Sequence, residues 1–336
     1  MKTKTTKLLI NGYGEFLGRN QGCLTVRHAD KKIDKYPLFD NQVSEIQLSM
    51  GNSASITALA TATIWGIDCL FLTQNGRPVA MLKSLEDDSH VKTRICQYKA
   101  LENDKAFSIA KEITLAKIKS QNQVLKKYGL RQHDIINIEK KMADAKTKNA
   151  LLTIEGHCAE NYFEQIFKLM PKSLRIERRR GFKAYDGLNN VFNLGYEILR
   201  WKCYLAIVRA KLEPFLGFLH SQAFSKPSLV CDFMEIYRGI VDDFIIQYSK
   251  NLKKKDFVRQ NQDYSLNKKG QRQFLRKESA RNMIDKLNAY FESIVAIPRI
   301  KHGKKQTIET LINEEALLLA QYLRNERPFW QPRLPY

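Results

Sequence analysis

Residues 214–243 read PFLGFLHSQAFSKPSLVCDFMEIYRGIVDD. His220 closes one apolar segment, Asp232 and Glu235 sit early in the next, and Pro227 separates the two. The spacing predicts one helix from Ser228 onward. Leu229, Phe233, Ile236, Ile240 and Phe244 recur at helical period on one side, and Asp232, Glu235, Arg238 and Asp242 line the other. Ser228 is the expected N-cap, and the turn Ser225–Lys226–Pro227–Ser228 can fold the His220 segment back onto this helix. An imidazole with two carboxylates is a ligand set for a hard or borderline divalent cation. Taken alone, one histidine and a few acids on an amphipathic helix more commonly mark a solvated face, so the metal reading needs a ligand from elsewhere.

Outward from this stretch, helical periodicity fills the chain from His90 to its end, with windows at 109–118, 149–169, 192–212, 233–252 and 308–323. A short hairpin around Asp263–Gly270 is the one expected exception. Before residue 86 the pattern differs. Leu8–Tyr13, Cys23–His28 and Glu45–Leu48 read as strands of a meander over 7–48, punctuated by Asn20–Gln21–Gly22, Asp30–Lys31–Lys32 and Asp40–Asn41. A helix through Ala54–Trp65, a strand over Gly66–Thr73, an Asn75–Gly76 turn and a return strand over Pro78–Lys83 follow. The expected fold is α+β: a small N-terminal β-rich domain over 1–85 and a larger all-α domain over 86–336.

With 56 Lys and Arg against 35 Asp and Glu, the net charge is +21, which points to a polyanionic partner. The basic runs Arg175–Lys183, Lys253–Lys255, Lys268–Lys277 and Lys301–Lys305 fit a phosphate-binding face, although each alone reads as solvated surface, and the sequence names no individual DNA-contacting residue. Membrane association is disfavoured: the most apolar stretch, Ser53–Leu72, carries several threonines and Asp68. The N-terminal MKTKTTKLLINGYGEFLG lacks the apolar run of a secretory signal. Cys23, Cys69, Cys96, Cys158, Cys203 and Cys231 show no CxxC spacing, which argues against structural zinc and suits free thiols in a reducing cytoplasm.

Glu155, in NALLTIEGHCAENYFEQIF, is the third candidate ligand. Leu152, Cys158, Ala159, Tyr162, Phe163 and Ile166 form the apolar stripe of its helix, and Gly156 beside it would permit a close helix–helix approach. From this window alone Glu155 reads as a surface glutamate. His157, on another face, reads as a surface or structural histidine.

Four ordered motifs now stand together. They are Glu155-Gly156-x-x-Ala159-x-x-Tyr162-Phe163; Asp186 with Asn189, Asn190, Asn193, Gly195 and Tyr196; Gly217-Phe218-Leu219-His220; and Leu229, Asp232, Glu235 and Arg238. Arg94, Gln97, Lys111, Lys117, Asn122 and Gln123 add a helix of similar character. Over essentially its whole length the chain resembles the CRISPR-associated integrase family, the catalytic subunit of the spacer-acquisition complex. The resemblance implies that Glu155, His220 and an acid of the last motif bind one Mg²⁺ or Mn²⁺. The E-x-x-R register favours Glu235 as the direct ligand, with Asp232 behind it or ligating on occasion. It implies phosphodiester transesterification, in which the 3′-hydroxyl of a captured DNA attacks the edge of a CRISPR repeat, with nuclease activity when water attacks instead. It also implies homodimers paired through the N-terminal domain and flanking a dimer of the second CRISPR adaptation protein. One departure is Gly187, where the family often has proline. The competing reading is a nucleic-acid-binding scaffold without chemistry, in which the Glu155–His220–Glu235 set is incidental.

Overall fold

The computed structural model describes residues 6–39, 43–73, 78–84, 91–181, 184–221, 223–265, 268–296 and 305–335. The expected turns at Asp40–Asn41 and Asn75–Gly76, the 85/86 domain boundary and most of the Lys301–Lys305 run lie outside them. The chain divides into two compact units, Met1–Ser89 and His90–Tyr336.

The first unit contains β1 (Thr6–Ile10), β2 (Phe16–Asn20), β3 (Cys23–Arg27), β4 (Ile33–Pro37), β5 (Val43–Ser49), β6 (Ser53–Ala54), α1 (Ile56–Ile64), β7 (Asp68–Leu72) and β8 (Pro78–Leu82). They form two four-stranded sheets, ordered β1-β5-β7-β8 and β4-β3-β2-β6. Of the three strands expected in a meander only Cys23–His28 sits in one, as β3 between its antiparallel neighbours β2 and β4, which the sequence reading did not name. Gln21 and Gly22, at φ 44° and 77°, make the tight β2–β3 turn in the mirror-image geometry that suits strand twist. β1 leaves this sheet and pairs in parallel with β5, which pairs in parallel with β7. The cause is two-sided burial. Val43, Ile46, Leu48, Cys69, Leu70 and Leu72 are all buried, which suits the covered strands of a parallel array. Ser55 caps α1, its hydroxyl accepting from Ala58 N–H at 3.1 Å.

The second unit contains α2 (Val91–Ala100), α3 (Asp104–Lys127), α4 (Ile135–Asp144), α5 (Lys148–Phe167), α6 (Gly187–Arg209), α7 (Ser228–Glu235), α8 (Arg238–Ser249), β9 (Phe257–Ser265), β10 (Lys268–Leu275), α9 (Lys277–Phe291), β11 (Ile294–Ala296), β12 (Lys305–Thr307) and α10 (Ile308–Leu323). One continuous apolar core runs from Ala106 on α3 through Phe192 on α6 and Ile245 on α8 to Leu319 on α10. Among the described residues no helix is long and apolar enough to cross a membrane. All six cysteines are free.

Three expectations need correction. The second unit carries more strand than expected: the hairpin is longer than read, with β9 (Phe257–Ser265) antiparallel to β10 (Lys268–Leu275), and β11 pairs with β12. The turn signals mark the hairpin around Asp263–Gly270, but FVRQNQDYS and KKGQRQFL are too polar to show how far its strands extend. Their partner is the start of α6, where Asn190 Nδ2 donates to Gln273 O at 2.8 Å and Gly187 N–H donates to Gln273 Oε1 at 3.1 Å. This docking explains the glycine at 187, because a Cβ there would lie 2.4 Å from the Phe257 ring.

The helix expected from Ser228 through Phe244 is two helices, α7 and α8, broken at Ile236–Tyr237. Ser228 is not the cap of α7. It is the first helical residue, and its hydroxyl donates to Ser221 O at 3.1 Å.

Candidate functional site

The helix break sets up the site. Glu235 ends α7 and Arg238 begins α8, and Arg238 Nη2 pairs with Glu235 Oε1 at 2.9 Å. Gly239 then lets α8 press against α3, since a Cβ at this position would lie 2.4 Å from Ser120 Oγ and 2.9 Å from Ser120 O. Lys117 is one turn before Ser120 on α3, so the same approach delivers its ammonium to Glu235, with Nζ 2.5 Å from Oε2. On the other flank, α5 presents Glu155, whose Oε1 accepts a hydrogen bond from the same Nζ. Two carboxylates from two helices therefore converge on one ammonium. The side chains of Lys117 and Glu235 are 9% and 5% exposed, that of Glu155 18%, so the cluster opens to solvent on the Glu155 side.

His220 reaches the site through Asp232. The Asp232 carboxylate is fully buried and is wrapped by the preceding loop. Oδ2 accepts from the N–H groups of Phe218 at 2.5 Å and Leu219 at 2.8 Å, and Oδ1 accepts from His220 N–H at 2.9 Å. His220 Nδ1 donates to Oδ1 at 2.6 Å. Gly217 permits the wrap, because a Cβ would lie 2.7 Å from Asp232 Oδ2 and from the Ser228 carbonyl carbon. With Nδ1 committed, the lone pair of His220 is on Nε2.

Burial pushes the Glu235 carboxyl upward, but Arg238 and Lys117 outweigh it and hold the group below its usual range. Asp242 does not continue the ligand face, as its spacing had suggested. It turns into the core, where its carboxylate accepts from Tyr162 OH at 2.9 Å and Tyr196 OH at 2.5 Å. It thereby ties α5, α6 and α8 together behind the site. Burial pushes it up to about 6 against the pull of the two hydroxyls.

The approach expected at Gly156 is also corrected, since a Cβ there would meet nothing within 4 Å. The close contacts are at Gly195, Gly217 and Gly239 instead. His157 is exposed, as read.

The Asp186–Asn193 motif serves the basic loop before it. Asp186 caps α6 by accepting from Asn189 N–H at 2.7 Å. Asn189, 1% exposed, accepts from Arg180 N–H at 2.8 Å and Arg179 Nη1 at 3.0 Å, and donates to Arg178 O at 3.1 Å. The Arg179 guanidinium lies 5.1 Å from the centre of the Tyr196 ring, so it is an internal strut. Arg178 and Arg180 remain exposed.

Sequence reasoning names Lys117 in a family-like helix but misses its place in the site. Among the described residues no group of three or more His, Cys, Asp and Glu side chains is disposed to hold a metal ion as they stand. The donor set nevertheless fits a divalent cation. Glu235 Oε2 is buried with no hydrogen-bond donor, being close enough to Nζ for an ion pair but out of line for a hydrogen bond. Beside it are a second carboxylate already engaged by a cation and an imidazole oriented by a carboxylate.

The chain is 32% identical over 263 residues to the CRISPR-associated endonuclease Cas1 1 of Francisella tularensis subsp. novicida (strain U112), covering 75% of this chain and 81% of that protein. Its fold is shared with a casposase bound to integration product (TM-score 0.68, 24% identity, 97% of this chain and 98% of that one). It is shared also with a chain of a partial Cas6–RT–Cas1–Cas2 complex (TM-score 0.72, 22% identity, 98% of each chain). The model of the CRISPR associated protein Cas1 family matches residues 8–279, a span holding every motif described above, and the chain belongs to that family.

Proposed function

We propose that this chain is a metal-dependent DNA integrase and endonuclease of CRISPR adaptation, joining captured DNA to the repeat array by transesterification. The observation that carries the reading is the convergence of Glu155 and Glu235 on one positive charge, beside an imidazole fixed by Asp232. Glu155, Glu235 and His220 Nε2 would hold one Mg²⁺ or Mn²⁺. Bound there, such a cation supplies Lewis-acid stabilisation of the phosphoryl oxygens and eases deprotonation of the attacking hydroxyl.

The chain's own groups do the rest. Asp232 keeps the proton on His220 Nδ1, and Arg238 holds Glu235 ionised and in place. No side-chain nucleophile is needed. The 3′-oxygen of the incoming DNA forms the new bond to phosphorus as the bond to the repeat strand's 3′-oxygen breaks, and the proton passes from one hydroxyl to the other. Water in the first role gives cleavage of free or branched DNA.

The excess of 21 positive charges supports a phosphate-binding role. The fold shared with a chain of a partial Cas6–RT–Cas1–Cas2 complex supports pairing with a second adaptation protein, Cas2; the cytoplasmic setting and the homodimers paired through the N-terminal unit are what the family resemblance implies.

Strand transfer on a supercoiled plasmid bearing a CRISPR repeat tests the reading. Glu155→Ala, His220→Ala and Glu235→Ala should each abolish transfer while DNA binding survives. Full activity in any of the three would remove that residue from the site.

A further inference from the structure

Lys117 is the unexplained member of the cluster. Lysine is among the side chains least often buried, and when buried it is held by partners. Here the residue is 7% exposed on the buried side of α3, and its ammonium touches both carboxylates assigned to the metal. In its absence Glu155 and Glu235 would face each other across a desolvated gap, with Arg238 neutralising only one of them. A divalent cation entering between those oxygens would meet a like charge at contact distance, so the ammonium and the ion cannot share the position.

We propose that Lys117 is a tethered counter-ion that occupies the Glu155–Glu235 site in the metal-free protein and is displaced when the divalent cation binds. It keeps the empty site assembled and lowers the apparent metal affinity, because only the fraction of molecules with Lys117 withdrawn is competent to bind. The role rests on the metal-site reading above. It adds that affinity for the cation is set by competition with a side chain of the same protein.

The test measures Mn²⁺ binding to the full chain without DNA, by calorimetry, for the wild type, Lys117→Met, Lys117→Gln and Glu235→Gln. Lys117→Met should bind Mn²⁺ at least fivefold more tightly than the wild type, and Lys117→Gln should move the same way. In chelator, Lys117→Met should melt below the wild type, and Mn²⁺ should close that gap. A lysine with a merely structural role would leave metal affinity unchanged or weaken it, and either result in the variants would overturn the proposal.

A readout on the wild type is independent of how the variants fold. Acylation of the Lys117 amine, followed by peptide mass spectrometry, should rise severalfold on adding Mg²⁺ to chelator-treated protein. An unchanged extent would also overturn the proposal. If Glu235→Gln binds Mn²⁺ as the wild type does, the metal reading itself fails and takes this one with it. If Glu235→Gln loses binding while both lysine variants stay at wild-type affinity, only the Lys117 role fails.

Discussion

The imidazole of His220 and the carboxylate of Asp232 are joined at 2.6 Å, and the same carboxylate gathers three consecutive backbone N–H groups from the loop that carries the imidazole. Asp232 therefore both shapes the loop and selects the tautomer of His220. In Asp232→Asn the amide keeps the volume but turns an NH₂ group toward donors, leaving buried N–H groups without an acceptor. The expected result is a 10- to 100-fold loss of Mn²⁺ affinity and of strand transfer, the range for outer partners of metal-ligating histidines. Wild-type Mn²⁺ affinity in this variant, measured by calorimetry, would remove the orienting role.

The contact of α8 with α3 at Gly239 depends on a missing side chain. Gly239→Ala should destabilise the protein by about 1–3 kcal/mol, because the added methyl meets backbone as well as side chain at Ser120. Pairing it with Ser120→Ala should recover only part of that loss, since Ser120 O, 2.9 Å from the added Cβ, stays in place. Chemical denaturation of the single and double variants reads this directly. Complete recovery in the double variant would show that the hydroxyl alone sets the approach.

Asp242 gives the fold a pH dependence of predictable sign. Its folded-state value of about 6 is above the ordinary 3.8, owing first to burial, with Tyr196, Tyr162, Arg238 and Arg179 pulling the other way. A raised carboxyl contributes stability that is fully present below the unfolded value and is lost as pH climbs through the folded one. Between about pH 4 and pH 6, wild type should lose on the order of 3 kcal/mol that Asp242→Asn does not lose. The measurement is unfolding free energy against pH for the two proteins. Parallel curves would mean that Asp242 is ionised normally in the folded state.

His220, Asp232 and Glu235 were legible as ligand candidates because an imidazole and two carboxylates fall close together at helical spacing, whereas Glu155, a surface glutamate by its own window, was singled out as a ligand by the family resemblance. What escaped was encoded in small or polar residues. The break after Glu235 has no proline or glycine at Ile236–Tyr237 to mark it, and it follows from packing by Gly239 on Ser120. Lys117 stood out only as one member of a family-like helix, with no role, and only the meeting of α3, α5 and α7 gives it two carboxylates. The parallel pairing of β1 with β5 escaped because strand alternation is a local signal, whereas the partner is set by which faces end up covered. The β9–β10 hairpin was expected around Asp263–Gly270, but its full length escaped because its strands carry little apolar patterning and are docked on the first turn of α6 by hydrogen bonds between side chains and backbone.

Asn189 links the helical scaffold to the basic loop, and its removal should show in DNA binding rather than in chemistry. It is almost fully buried and holds Arg178 O, Arg179 Nη1 and Arg180 N–H at once, so Asn189→Ala leaves several polar groups of the loop unpaired. A stability loss of about 1–3 kcal/mol is expected. Arg178 and Arg180, exposed on that loop, should be phosphate contacts. Arg178→Ala with Arg180→Ala should weaken binding by similar factors on unrelated duplexes. It should also flatten the dependence of log affinity on log salt by about 2, near one for each released counterion. Asn189→Ala should flatten the same slope without removing any charge, because the loop is no longer held in register. Fluorescence anisotropy across a salt series separates the outcomes. An Asn189→Ala slope equal to wild type, with the double arginine variant flattened, would mean the arginines find the phosphates without the asparagine.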